Sequence, residues 1–211
     1  IDEKPLRFLR YFIMANYDTS SEKDGILRED QIYTWLSNNN AQCHYEEAPF
    51  QFVQKMAQNV ELYVKCRMPD DVHLKNIPLL AGKSYKLHLM LLLAASNMNS
   101  EAFAKFKSIL ESVVYYTVID KIATNITERT FALWCRDVRN IVTAEDLDCF
   151  VKNTIIPTVN DWKLDNKSNF LRLGLNSMQQ YRIKFILGKI TAYVDALKLG
   201  KTTVEDLTTY T

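Results

Sequence analysis

Three histidines, four cysteines and a handful of grouped charges are the side chains in this 211-residue sequence that could support bond-making. General acid–base work needs a titratable group held beside a partner, and His44, His73 and His88 stand well apart in the sequence. His88 lies within an apolar stretch, with Tyr85 and Leu92 on its own helical face, and reads as a core histidine. Cys43, Cys66, Cys135 and Cys149 contain no C-x-x-C pair. Zinc sites draw N and S ligands from closely spaced pairs, and Cys43-His44 is the nearest approach to one. Buried reduced thiols fit better. Asp70-Asp71 reads as a solvated turn, while Glu145, Asp146 and Asp148 complement the positive end of a helix dipole. Nucleophile elbows, P-loops, HExxH and GxGxxG fingerprints do not occur. No catalytic, cofactor-binding or metal-binding residue emerges.

Basic residues offer a different chemistry. Arg7 and Arg10 sit in an opening segment interleaved with aromatics (RFLRYF). Arg136 and Arg139 flank Asp137 beyond Trp134, and Arg182 follows near the end. Such groups suit phosphates and base stacking. They suit better an ion-paired helix face, with Phe8 and Tyr11 as core and shoulder of an amphipathic helix. Both readings stand at this point.

The elements that must position these groups are helical. Pro5 to Asn16 opens as a helix, Pro being favourable in a first turn, with Leu6, Leu9, Phe12 and Ile13 facing inward. Ser20 to Gly25 is a polar loop. A second helix covers Arg28 to Asn38, carrying Ile32, Trp35 and Leu36. A long one runs from Glu46 to Arg67, where Phe52, Val53, Met56, Val60, Tyr63 and Val64 recur at the helical step. Asp70 to Gly82, broken by Pro78, reads as a loop and a subdomain boundary. Ser84 to Asn97 is apolar nearly all round, which marks a central, enclosed helix. Ser100 to Thr124 follows, its Val-Tyr-rich end strand-like in composition but helical in period. Thr127 is expected to cap a helix to Val142, and Thr143, with Asp146 three residues on, another to Asn153. Pro157 restarts the chain near Trp162. Ser177 and Gln180 form a capping box ahead of a last helix, Met178 to Leu199, closed by Gly200.

The fold class is therefore all-α, an irregular bundle of about eight to ten helices. Its halves are 1–75 and 76–211, or one continuous domain. A chain that is 47% hydrophobic can bury a sizeable core, and five Gly and five Pro leave little room for hairpins. Twenty-six basic against twenty-five acidic residues give a net charge of +1, so no global pull toward DNA or an anionic membrane follows. The longest apolar run, Leu89 to Ala95, is too short to span a bilayer, and no secretory signal is present. A cytoplasmic protein without a membrane partner is expected. Starting at Ile1 and stopping at Thr211, the sequence reads as a piece of a longer one.

Three segments together resemble one family. PLRFLRYFIMANYD is similar to the "FLRYY"-like helix in the middle of bacterial GmrSD-type restriction proteins. Phe131 to Arg139 (FALWCRDVR), followed by TAEDLDCFVKNTIIP, resembles that family's "F…W…LR" helix. Tyr181 to Leu187 (YRIKFIL), running on to Tyr193, is similar to its "RYILxxIExYL" helix. Order and spacing agree across nearly the whole chain. The resemblance implies the helical middle of a phage-defence nuclease. In that family it lies between a ParB-like region with a DGQQR-like motif and a His-Asn-His nuclease opening with EHIxPQ. Neither motif occurs here, although Thr209-Tyr210-Thr211 resembles the stretch preceding the second. The implied role is a scaffold coupling nucleotide-dependent and DNA-cleaving regions, with those flanking domains and DNA as partners. Nucleotide and divalent metal would belong to the parent protein and not to this segment.

Overall fold

A computed structural model describes residues 4–162, 171–172, 174 and 176–199. These residues are helical, with no β-strand among them, as the apolar periodicity predicts. The helices are α1 (Pro5–Asn16), α2 (Ile32–Asn38), α3 (Asn40–Cys43), α4 (Pro49–Arg67), α5 (Val72–Ala81) and α6 (Leu87–Ala94). They continue as α7 (Ser100–Ile119), α8 (Thr124–Val138), α9 (Ala144–Phe150), α10 (Ile156–Asp161) and α11 (Gln180–Leu199). Two compact units share this chain. Described residues up to Arg67, with Lys86–Ala104 and Ala123–Val151, make the first. Met68–Tyr85, Lys105–Ile122 and the described residues from Lys152 onward make the second.

In the first unit α6 is the centre, because it has no polar face to give to water. All eight of its residues are buried, and α1, α4 and α8 pack on it. Each leucine sequestered this way contributes about 1.5–3 kcal/mol. The α1 face is set by Tyr11 to Ala15, all buried, whereas Leu6 is half exposed. Phe12 meets Tyr17 and Phe52 edge-on, at 5.8 and 5.7 Å between ring centroids. Phe131 stacks on Trp134, which meets Phe150 edge-on at 6.0 Å. On α4 the inward face runs through Asn59, Tyr63 and Cys66, while Val53 and Val60 are exposed. That helix begins at Pro49, three residues later than the sequence suggests.

The second unit packs α5 against α11 around Leu80, Ile119, Phe185 and Ile186. Here the expected loop from Asp70 to Gly82 is corrected. Val72–Ala81 is a helix, started by Asp71, whose carboxylate accepts the backbone N–H of His73 at 3.0 Å and of Leu74 at 3.2 Å. Pro78 lies inside it. Proline there forfeits one backbone bond, but Leu74, Ile77 and Leu80 are all buried at helical spacing and outweigh the loss. Gly82 ends the helix at φ 101°, ψ 152°, a region that is essentially glycine's alone.

Other boundaries differ for local reasons. The helix α7 stops at Ile119 because Lys121 turns into the left-handed region (φ 55°). The Ile122 N–H then reaches back to the Thr117 carbonyl at 2.9 Å, a closure of the Schellman type. Thr127 is not a cap but a buried residue within α8. Thr143 does cap α9: its hydroxyl accepts from Asp146 N–H at 3.2 Å, and the Asp146 carboxylate accepts from Thr143 N–H at 3.0 Å. Pro157 does not restart the chain. The backbone runs on through a π-turn, Val151–Ile155, into α10. The wider turn accommodates a ring that would otherwise collide with the carbonyl four residues back. Ser177 donates its hydroxyl to the Gly174 carbonyl at 2.6 Å, and α11 starts at Gln180. Gly200 and Thr209-Tyr210-Thr211 lie outside the described residues.

Candidate functional site

The arginines marked by sequence meet different surroundings. On α1, Arg10 donates Nε–H to the Leu27 carbonyl and pairs with Glu128 of α8, both side chains largely buried. It is a strut between two helices. Arg7 is half-buried on the same helix. Arg136 is exposed, 3.7 Å from the Asp137 carboxylate. Arg182, in the second unit, donates Nε–H to the Leu80 carbonyl at 3.2 Å and lies over the Tyr181 ring.

Arg139 differs, because it faces a cleft of about 600 Å³ in the first unit. Four elements make its walls: the end of α1 at Asn16, α4 from Lys55 to Leu62, the 3-10 turn Ala95–Asn97, and the end of α8. Asn16 donates to the Asn59 side-chain oxygen at 3.0 Å and to the Phe12 carbonyl at 2.9 Å, which ties α1 to α4. Asn97 donates to the Arg139 carbonyl at 3.0 Å, which ties the turn to α8. Arg139 gives Nε–H to the Cys135 carbonyl at 3.2 Å, and its terminal nitrogens bond no other described residue. Lys55, half-buried, places its ammonium 4.6 Å from the centre of the Tyr17 ring, a cation–π contact. Burial draws Lys55 below the usual lysine range, and the Arg139 charge adds to the shift. Burial also lowers Arg139, against the pull of Cys135 and Asp18. Among the described residues no carboxylate lines the cleft. Asp18, outside it, is held below the usual carboxylate range by the Ser20 backbone and side chain, then by Arg139 and Arg136.

The second unit holds the other concentration of charge. Glu111 on α7 is buried and accepts from His73 Nδ1 at 2.7 Å, Asn76 Nδ2 at 2.9 Å and Lys189 Nζ at 2.6 Å. Those donors come from α5 and α11, so one carboxylate joins three helices. Burial pushes its carboxyl up, but the bonds from His73 and Lys189, the Lys189 charge and the bond from Asn76 outweigh it. Glu111 titrates below the usual carboxylate range. Asp71, the α5 cap, also pairs with Lys107; of the adjacent carboxylates Asp70 is exposed, whereas Asp71 is a fastening and not part of a solvated turn. A cleft of about 300 Å³ beside Glu111 is lined by Tyr115, Ile186, Ile190 and Tyr193.

Among the remaining titratable groups, His88 is buried in α6, and burial takes it down to about 3. It is neutral at physiological pH. Burial pushes the Cys43 thiol up to about 11 and the Cys135 thiol to about 12, which makes both poor nucleophiles. Cys66 is buried too, but Cys149 is exposed, a correction to the expectation for all four. Among the described residues no group of three or more His, Cys, Asp and Glu side chains could hold a metal, and no helix is long and apolar enough to cross a membrane. The cationic cleft and the Glu111 junction were not singled out from sequence. The signal available for the first was Asn59, a polar residue in helical register with Phe52, Met56, Tyr63 and Cys66. No protein-family profile, curated protein or solved structure matches the chain.

Proposed function

We propose that this chain is the helical scaffold of a restriction-type, phage-defence nuclease of the GmrSD kind, coupling nucleotide-dependent and DNA-cleaving regions that lie outside it. The supporting observation is where the family-like segments fall. PLRFLRYFIMAN is α1, FALWCRDV ends α8, and YRIKFIL lies in α11. Each contains packing residues, with Phe12 and Ile13, Phe131 and Trp134, Phe185 and Ile186 all buried, although Leu187, Ile190 and Tyr193 of the third segment are exposed. Positions of that kind build a frame; they do not attack a bond. The largely buried strut Arg10–Glu128 and the junction of buried Glu111 with half-exposed Lys189 have the same character, since polar junctions of this sort fix which helices meet.

The test is genetic and enzymatic. The open reading frame around this segment should encode a DGQQR-like motif before it and an EHIxPQ-like motif after it. Expressed with those flanks, the protein should cleave DNA in the presence of nucleotide and divalent metal, and the segment alone should not. Flanks lacking both motifs, or cleavage by the segment alone, overturn the assignment.

A further inference from the structure

Two cations face the cleft of the first unit with no anion among its lining residues, and the walls around them are already fastened to one another. We infer that this cleft binds a small phosphorylated ligand of roughly mononucleotide size, its phosphate held by Arg139 and Lys55 and its polar remainder by the side-chain amides. The inference is independent of the scaffold assignment.

Three observations carry it. The first is charge placement. Both side chains are drawn partly out of water, near each other, with Asp18 and Asp137 acting on Arg139 only from outside the lining. An entering phosphate would replace mutual repulsion by attraction in a partly dehydrated site, where charge–charge interactions are stronger than in bulk water. The second is donor geometry. Arg139 spends Nε on its own helix and keeps both terminal nitrogens. They form the planar pair that matches two phosphate oxygens, while Lys55 supplies a compact second charge. The third is size and lining. At about 600 Å³ the cleft lies within the range of about 300–1,000 Å³ usual for small-ligand sites, and a bare phosphate would leave most of it empty. Amides from Gln58, Asn59 and Asn97 offer both donors and acceptors, and Asn16, its two N–H bonds spent on Phe12 and Asn59, adds its oxygen. The Asn16–Asn59 and Asn97–Arg139 bonds hold the walls in place before anything binds, which reduces the ordering that binding requires.

The experiment uses the full chain at low ionic strength, with calorimetric titration of adenosine 5′-monophosphate, cytidine 5′-monophosphate, adenosine, inorganic phosphate and a short single-stranded oligonucleotide. At least one monophosphate should bind with Kd below about 1 mM, inorganic phosphate more weakly, and adenosine not measurably. Arg139→Gln and Lys55→Gln should each weaken the monophosphate about tenfold or more, the usual effect of losing a charge-assisted bond. Gln58→Ala should weaken the monophosphate and spare inorganic phosphate. Lys65→Gln, on an exposed part of α4 outside the lining, should change nothing. Melting in the absence of ligand separates folding defects from binding defects, and the weakening is read on variants still folded at the titration temperature, because Lys55 and Arg139 also contact Tyr17 and the Cys135 carbonyl. Failure of both monophosphates and phosphate to bind overturns the inference. So does binding that Arg139→Gln and Lys55→Gln leave intact, or binding of the oligonucleotide alone.

Discussion

Glu111 offers the sharpest test of how the second unit is held. Its side chain is 7% exposed and accepts bonds from His73, Asn76 and Lys189. Replacing it by alanine leaves Asn76, which is fully buried, with a stranded donor, and leaves the Lys189 ammonium without its counter-charge. Breaking a buried ion pair by deleting one partner typically costs about 3–5 kcal/mol. Lys189 is 35% exposed, so solvent screens part of that loss, and about 3 kcal/mol is expected. Glu111→Gln keeps an acceptor for Asn76 and should cost about 1–2 kcal/mol.

The pH dependence separates charge from shape. A carboxyl whose folded pKa is depressed stabilises the fold fully above its unfolded value, about 4.3 for glutamate, and loses that contribution as pH falls through the folded value. Glutamine does not titrate. The stability gap between wild type and Glu111→Gln should therefore narrow as pH falls through the lowered carboxyl value, and close below about pH 4. Urea unfolding followed by circular dichroism measures both quantities. A loss under about 1 kcal/mol for Glu111→Ala, or a Glu111→Gln gap unchanged at acid pH, would show that the three helices are held by apolar packing alone.

Gly82→Ala should destabilise by about 1–3 kcal/mol, because φ is 101° there and the new Cβ would lie 3.1 Å from the Tyr181 hydroxyl; a thermal melt reads it, and an unchanged midpoint refutes it. Lys121→Gly should stabilise by about 0.5–1 kcal/mol, since glycine suits the left-handed closure of α7; denaturant midpoints decide. With iodoacetamide at pH 7.5 and intact protein, mass spectrometry should find one fast label, at exposed Cys149. Cys43, Cys66 and Cys135, all buried, should react only on unfolding. Rapid labelling at any of the three contradicts their place in the core.

Helix periodicity made the class of fold and the enclosed position of α6 legible, because a segment apolar on every side has one stable destination. The α9 cap was equally readable, since Thr143 and Asp146 act over three residues of chain. What escaped depended on distance in sequence or on two rules in conflict. Val72–Ala81 carries Leu74, Ile77 and Leu80 at the right step, but Pro78 locally opposes a helix, and only their burial in the folded unit overrides it. The inward face of α4 was legible at Phe52, Met56 and Tyr63 but not at Asn59, which is polar and whose partner, Asn16, sits on another helix. Glu111 gave no hint at all, for its donors lie far along the chain on α5 and α11. Of the arginines, spacing alone could not tell Arg10, spent on Glu128, from Arg139, which opens on a cleft.

The burial of α6 on every side has a consequence for biosynthesis. This leucine-rich segment leaves the ribosome after α1 and α4 but well before α8, so one flank stays uncovered for a time on the order of seconds at ordinary elongation rates. A nascent chain stalled in that interval presents the apolar surface that holdase chaperones capture. Premature stop codons between α6 and α8 should accordingly yield insoluble product, whereas lesions beyond α9 should leave the first unit able to close.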